Sequence, residues 1–93
     1  MPNHHDLKCF TKQFQPIVNS EKRSIVRYDD RKYTIGDTVT LREGRPEADG
    51  FEYTGRSISA RISYIDDFGC QTGYLNLSLS SVGMLIVNDK VPG

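Results

Sequence analysis

The chain has 93 residues, of which 37% are hydrophobic, with five tyrosines and four phenylalanines. That is enough apolar material for one core, so residues 1–93 are expected to form a single domain. Twelve lysines and arginines balance twelve aspartates and glutamates, giving a formal net charge of zero. A protein that grips long nucleic acid mainly by neutralising phosphates is therefore disfavoured, and any anion site must be local.

The first part of the chain predicts an edge strand followed by a short helix. The strand is expected at Leu7–Phe10, and the helix at Thr11–Ser20 with Thr11 as its N-cap. Pro16 would clash with the carbonyl of residue 12 inside that helix, which leaves open a kinked helix or one that starts near Pro16. Apolar residues recur there at spacings of three and four: Phe14, Ile17 and Val18.

Two further strands are predicted in the middle of the chain, at Ile25–Tyr28 and Thr38–Arg42. The stretch Glu43–Gly50 is weakly patterned and is expected to be a loop. Its last residues, Ala48, Asp49 and Gly50, suit a hairpin tip.

The clearest strand signal is Ser57–Tyr64, where apolar and polar residues alternate. Tyr74–Leu79 alternates in the same way, and Met84–Val87 is a shorter β-rich run. Tyr64 and Tyr74 are expected to lie in the core. These short strands with one or two short helices predict an α+β, mainly β domain built as a small barrel or sandwich.

Cysteine and hydropathy patterns indicate an intracellular protein. Cys9 and Cys70 are far apart and lack metal-ligand spacing, so we expect reduced thiols, with a disulfide between them left open. No apolar run approaches the ~20 residues of a membrane span, and the start of the chain lacks a signal-peptide pattern. The cytoplasm is the default expectation, without a membrane partner.

The chain ends carry no strong functional signal. His4 and His5 have no neighbouring ligand pattern, so mobile side chains are expected rather than a metal site, and no cofactor is implied. Residues 1–4 are expected to be flexible, and residues 88–93 to form a tail. A monomer is the default expectation.

A basic run between residues 22 and 32 is the most informative stretch. It holds five cations, and recognition of a phosphate would need such donors converging beside a flat aromatic such as Tyr28 or Tyr33. The alternative is that Arg27 and Arg31 pair with Asp29 and Asp30 on a solvated surface, which the pattern alone favours.

An ordered set of residues between His4 and Leu79 forms a recognisable pattern. Its members are His5-Asp6-Leu7-Lys8, Phe14, Lys22, Arg27, Asp30-Arg31, Ile35-Gly36-Asp37, Leu41-Arg42-Glu43 and Tyr53-Thr54-Gly55-Arg56. This pattern resembles the ASCH family of PUA-like domains, most closely a small subgroup of bacterial and phage proteins. The resemblance implies a β pseudo-barrel of about five to six strands, with a cleft between barrel and helix that receives RNA or a nucleoside-like ligand.

The family signature Gly-x-Lys-x-x-Glu-x-Arg falls on Ser20, Lys22, Ile25 and Arg27, so two of its four positions differ. Some ASCH relatives are amidohydrolases acting on acylated cytidine, and their threonine would fall at Ile25, which has no hydroxyl. Ser24 would point to the opposite face of a strand. The resemblance therefore implies binding more than catalysis.

Three hypotheses follow. The leading one is a non-catalytic module that binds RNA or a nucleotide through Lys8, Lys22, Arg27, Tyr28, Arg31 and Arg56. The second is an amidohydrolase in which Lys22 works with Glu43 or Glu52. The third is a protein-interaction module of a phage or mobile element, in which the predicted Met84–Val87 edge accepts a partner strand.

Overall fold

The computed structural model describes residues 2–87 and contains one five-stranded sheet and one short helix. The prediction of a small, mainly β domain is confirmed at this level. In chain order the elements are β1 (His4–Phe10), α1 (Thr11–Val18), β2 (Ser24–Tyr28), β3 (Thr38–Glu47), β4 (Gly50–Asp66) and β5 (Tyr74–Ser80). The strands follow the spatial order β1-β3-β4-β5-β2.

The two edge strands of the sheet, β1 and β2, approach each other. Strand β1 pairs in parallel with β3, and the remaining pairs are antiparallel. Although β1 and β2 share no ladder, the Arg27 guanidinium of β2 donates a hydrogen bond of 2.7 Å to the Lys8 carbonyl of β1. The sheet is therefore curled, and a side chain bridges its two edges.

The helix is shorter than predicted and begins differently. Phe10 is the N-cap residue, so the prediction that Thr11 caps the helix is wrong; Thr11 is the first helical residue, and its hydroxyl contacts the Gly44 carbonyl. Pro16 lies inside the helix, which ends two residues later at Val18. Phe14 and Ile17 bury the inner face. The predicted extension to Ser20 is wrong.

The alternation predicted for Ser57–Tyr64 holds from Ile58 to Ile62, whereas Ser57, predicted on the solvent side, is buried. Ile58, Ala60 and Ile62 are buried, but Tyr64 is 57% exposed, so its predicted place in the core is wrong. The register between β4 and β5 shifts between Ile62 and Tyr64. Such a bulge reverses the inward and outward sides, and Ile65 packs on the core instead.

The expected loop at Glu43–Gly50 is in fact part of a long hairpin. Strand β3 continues to Glu47 and β4 begins at Gly50, with Ala48 and Asp49 in the turn. The predicted hairpin tip is therefore confirmed, while the predicted loop is wrong because both strands extend beyond the regular alternation.

The last predicted strand, Met84–Val87, is reduced to a single bridge in which the backbones of Ile86 and Ser57 exchange two hydrogen bonds. The predicted tail at residues 88–93 lies outside the described residues. Within residues 2–87, no helix is long and apolar enough to cross a membrane, and both cysteines are free thiols.

Candidate functional site

A cleft of about 440 Å³ opens where β1 and β2 face each other, and we call it the basic cleft. Four of its side chains are cationic, two are carboxylates and three are tyrosines, in a chain without net charge. The volume falls within the range of small-ligand sites. The lining residues are Asp6, Leu7, Lys8, Arg27, Tyr28, Asp30, Arg31, Tyr33, Arg42 and Tyr53.

The parallel pairing of β1 with β3 concentrates positive charge in the basic cleft. Lys8 of β1 lies directly opposite Arg42 of β3 in the register. Like charges in directly opposed positions repel each other and lower the stability of a sheet. Asp6 offsets part of this charge, because its carboxylate lies 3.5 Å from Arg42 Nη2.

Arg27 is held at the junction of the two edge strands. Its guanidinium donates a hydrogen bond to the Lys8 carbonyl and lies beside Tyr33 in the cleft wall, so it is fixed rather than loose. Burial raises the pKa of Tyr33, against the opposing effect of the nearby Arg27 and Arg31 charges. The phenol therefore stays neutral and remains available as a hydrogen-bonding group in the cleft wall.

Tyr28 and Arg31 form the more exposed side of the cleft. The Tyr28 ring packs edge-to-face on Tyr74 at 5.4 Å and is 57% exposed. Tyr74 itself is 37% exposed, so its predicted core position is wrong. Arg31 Nε lies 3.8 Å from the Asp30 carboxylate, an exposed pair of the kind that contributes little to stability.

A second concavity, of about 350 Å³, adjoins the basic cleft on the side of the helix. We call it the apolar crevice, since most of its lining is hydrophobic. Lys8 and Arg27 line both concavities. The full lining is Lys8, Cys9, Phe10, Gln13, Ile25, Val26, Arg27 and Leu41.

Two of the six predicted site residues, Lys22 and Arg56, line neither concavity, whereas Lys8, Arg27, Tyr28 and Arg31 lie together around the basic cleft. Arg56 is instead the partner of Glu43. Its Nε and Nη2 donate to the two oxygens of that carboxylate, each at 2.7 Å. Glu43 is only 1% exposed.

A strand irregularity explains why Arg56 turns toward Glu43. The register runs from Arg42 opposite Ser57 to Gly44 opposite Tyr53, so three residues of β4, numbers 54–56, face the single residue Glu43. The bulge also directs the Thr54 hydroxyl to the same carboxylate at 2.7 Å. Hydrogen bonding from Arg56 holds the pKa of Glu43 below its usual range, although burial opposes this.

Glu43 and Glu52, the proposed carboxylate partners of Lys22, both have other partners. Glu43 bonds to Arg56, and Glu52 accepts a hydrogen bond of 2.6 Å from Arg45. Ser24 is partly exposed next to the buried Ile25 on β2, as expected for opposite faces of a strand.

His5 is buried, so the expectation of a mobile side chain is wrong for this residue. Its Nε2 lies 2.8 Å from the Asp37 carboxylate, and its ring packs edge-to-face on Tyr33 at 4.8 Å. Asp37 also accepts hydrogen bonds from the backbone of Asn3 and Thr34. These bonds, that of His5 foremost, lower the pKa of Asp37. His4 contacts the Thr38 and Thr40 hydroxyls.

Cys9 is the only thiol that lines either concavity. Burial raises its pKa to about 11, against the opposing charges of Arg27 and Lys22. The thiol is therefore protonated at neutral pH and is a poor nucleophile. Among residues 2–87, no group of three or more His, Cys, Asp or Glu side chains could hold a metal ion.

Six residues that line the basic cleft were not among the predicted site residues, although Tyr33 had been considered as a stacking ring; Arg42 and Tyr53 are the two that matter most for its chemistry. Arg42 could have been found by pairing Thr38–Arg42 with Leu7–Phe10, since both runs alternate and one register places it beside Lys8. Tyr53 lies on β4, just after the stretch that was predicted as a loop. No local alternation therefore indicated which way its side chain points.

Comparison with known proteins assigns the chain to a family. A family model described as "Domain of unknown function (DUF3850)" matches residues 4–79. The chain belongs to this family. The DUF3850 region begins with β1 and ends within β5, so it includes all the residues that line the basic cleft and the apolar crevice.

A phage protein is similar to this DUF3850 chain. The "Uncharacterized 12.9 kDa protein in GpA 3'region" of Escherichia phage P2 is 36% identical over 67 residues. The alignment covers 72% of this chain and 58% of that protein, so the chain spans little more than half the length of this relative.

Proposed function

We propose that the protein binds RNA or a nucleotide in the basic cleft, without catalysing a reaction. The observation that carries this proposal is the convergence of four cations on one cleft, with Lys8 and Arg42 on paired strands and Arg27 and Arg31 on the facing side. Cations gathered in this way attract an anionic ligand, because lysine and arginine donate charge-assisted hydrogen bonds to phosphate oxygens.

The remaining chemistry of the cleft suits a nucleotide better than a simple anion. Arg27 and Arg31 offer planar guanidinium groups that can donate two parallel hydrogen bonds to a phosphate. Tyr28, with its half-exposed ring, offers a flat face on which a base can stack. A small inorganic anion would use the cations and leave the tyrosines without a role.

The resemblance to ASCH and PUA-like domains supports the same proposal, and we propose that DUF3850 is related to them. The hydrogen bond by which Arg27 links β2 to β1 supports this relation, because a pseudo-barrel also brings its edge strands together. Catalysis is left out of the proposal, because the position of the relatives' threonine holds Ile25, which is buried in the core.

Calorimetric titration with nucleotides and short RNAs tests the proposal. We expect binding that weakens with salt, with a slope of roughly 0.7 per phosphate contacted, and a loss of at least roughly fivefold in affinity for Arg31→Gln. Arg61→Gln is the matched control, since Arg61 is an exposed strand arginine that lines neither concavity. No binding at millimolar ligand, or equal losses in both variants, would refute the proposal.

A further inference from the structure

The basic cleft and the apolar crevice are two adjoining compartments with a shared wall. Lys8 and Arg27 line both of them, and the hydrogen bond from the Arg27 guanidinium to the Lys8 carbonyl lies at their border. Volumes of about 440 and 350 Å³ each lie within the range of small-ligand sites. The basic cleft has more cations than carboxylates in its lining, whereas the lining of the apolar crevice is mainly hydrophobic. A ligand that fills both must therefore combine an anionic group with an apolar one.

We infer that the protein takes two consecutive nucleotides of single-stranded RNA. The phosphate that links them lies against Lys8 and Arg27, one base lies in the basic cleft, and the next base lies in the apolar crevice. This inference rests on the proposed function and extends it from a nucleotide to a strand.

The crevice offers a stacking surface for the second base. Phe10 is 52% exposed although it is a large apolar side chain, and its ring stacks on Phe51 at 5.9 Å with an angle of 28° between the planes. One side of Phe10 is thus supported, and its exposed part can contact a base. The Lys8 ammonium lies 5.6 Å from the centre of the Phe51 ring, next to this stack.

The polar content of the crevice is small but suits a base. Gln13 is the one amide side chain in its lining. An amide can both donate a hydrogen bond to the edge of a base and accept one from it. The floor is formed by Cys9, Ile25 and Leu41, all buried. A free phosphate would gain nothing there, since burying a charge among apolar groups is costly. The crevice therefore favours an uncharged flat group attached to the anion.

A pair of ligands that differ in the second base tests the inference by calorimetry. The probes are the dinucleotide pApA and adenosine 3′,5′-bisphosphate (pAp), which has no fewer negative charges but only one base. We expect pApA to bind at least roughly fivefold more tightly than pAp, since stacking on an aromatic ring contributes that much per base. Equal affinities for the two probes would overturn the inference while leaving the proposed function standing.

Substitution at Phe10 locates the effect. Phe10→Leu should remove the advantage of pApA and leave pAp binding unchanged. Phe68→Leu is the matched control, because Phe68 is 93% exposed in the turn between β4 and β5, and it should change neither affinity. If Phe10→Leu weakens both probes equally, the inference is wrong.

The unmodified protein gives a second readout if Phe10→Leu fails to fold. In NMR titrations, the amide signals of Gln13 and Val26 should shift with pApA and stay in place with pAp. If both ligands shift signals in the basic cleft and neither shifts signals in the crevice, the inference is overturned. No binding of either probe anywhere would instead refute the proposed function, and the inference with it.

Discussion

The pairing of Arg56 with the buried Glu43 makes a strong prediction about stability. In Arg56→Met, an unbranched apolar side chain replaces the arginine. Glu43 then loses two hydrogen bonds of 2.7 Å each. The hydrogen bond of 2.7 Å from the Thr54 hydroxyl remains. Removing one partner of a fully buried ion pair costs about 3–5 kcal/mol.

The expected loss for Arg56→Met is somewhat smaller, because the Arg56 side chain is 29% exposed and water can reach the site after substitution. We expect the free energy of unfolding to fall by about 2–4 kcal/mol, a large part of the total for a domain of this size. The midpoint of thermal unfolding should fall by roughly 10–25 °C. Circular dichroism during urea titration measures the change, since the chain has no tryptophan.

The pH dependence identifies the cause. In the wild type, the lowered pKa of Glu43 means that the pair stabilises the protein above the ordinary glutamate pKa of about 4.3, and that this stability is lost as the pH falls through the lower, folded value. In Arg56→Met, burial without a cation should raise the pKa of Glu43. That variant should then lose stability as the pH rises from 4 to 7.

A double substitution serves as the control. Glu43→Gln in the Arg56→Met background removes the buried charge that has lost its partner. It should restore at least about 1 kcal/mol of the free energy of unfolding at pH 7 but little at pH 4. A loss below about 1 kcal/mol for Arg56→Met, or a loss independent of pH, would refute the assignment of a buried charge pair.

Two backbone positions give further predictions, both measured by thermal and urea unfolding. Gly44→Ala should lower the free energy of unfolding by about 2–3 kcal/mol, because the added Cβ would lie 2.5 Å from the Glu52 carbonyl oxygen and against the Phe51 ring. A change below about 0.5 kcal/mol would contradict this close contact between Gly44 and the two residues of β4. Ser20→Gly should stabilise by about 0.5–1 kcal/mol, because Ser20 has a φ of 61°, which a glycine adopts without strain; a loss of stability would show that this strain is absent.

The parts of the fold that were predicted correctly depend on local alternation. Ile58, Ala60 and Ile62 are buried as their spacing indicated, and Leu77 and Leu79 are buried in the same way on β5. The prediction failed where the register shifts, as at Tyr64, because a bulge is set by pairing with a distant strand.

The site was predicted in part for the same reason. Arg27 and Arg31 stood out as cations near aromatic residues, and the structure places both at the basic cleft. Arg56 lies outside both concavities, because its environment depends on the bulge opposite Glu43. A signal was present: Val39, Leu41 and Glu43 alternate, which puts Glu43 on the inward side, where a carboxylate needs a cation.

The approach of β1 to β2 has a consequence for self-association. An exposed strand edge invites pairing with another copy and subsequent aggregation. Here the two edge strands face each other across the apolar crevice, and the Lys8 carbonyl of β1 is already occupied by Arg27. The gap that leaves room for a ligand thus also protects both edges from docking with another sheet.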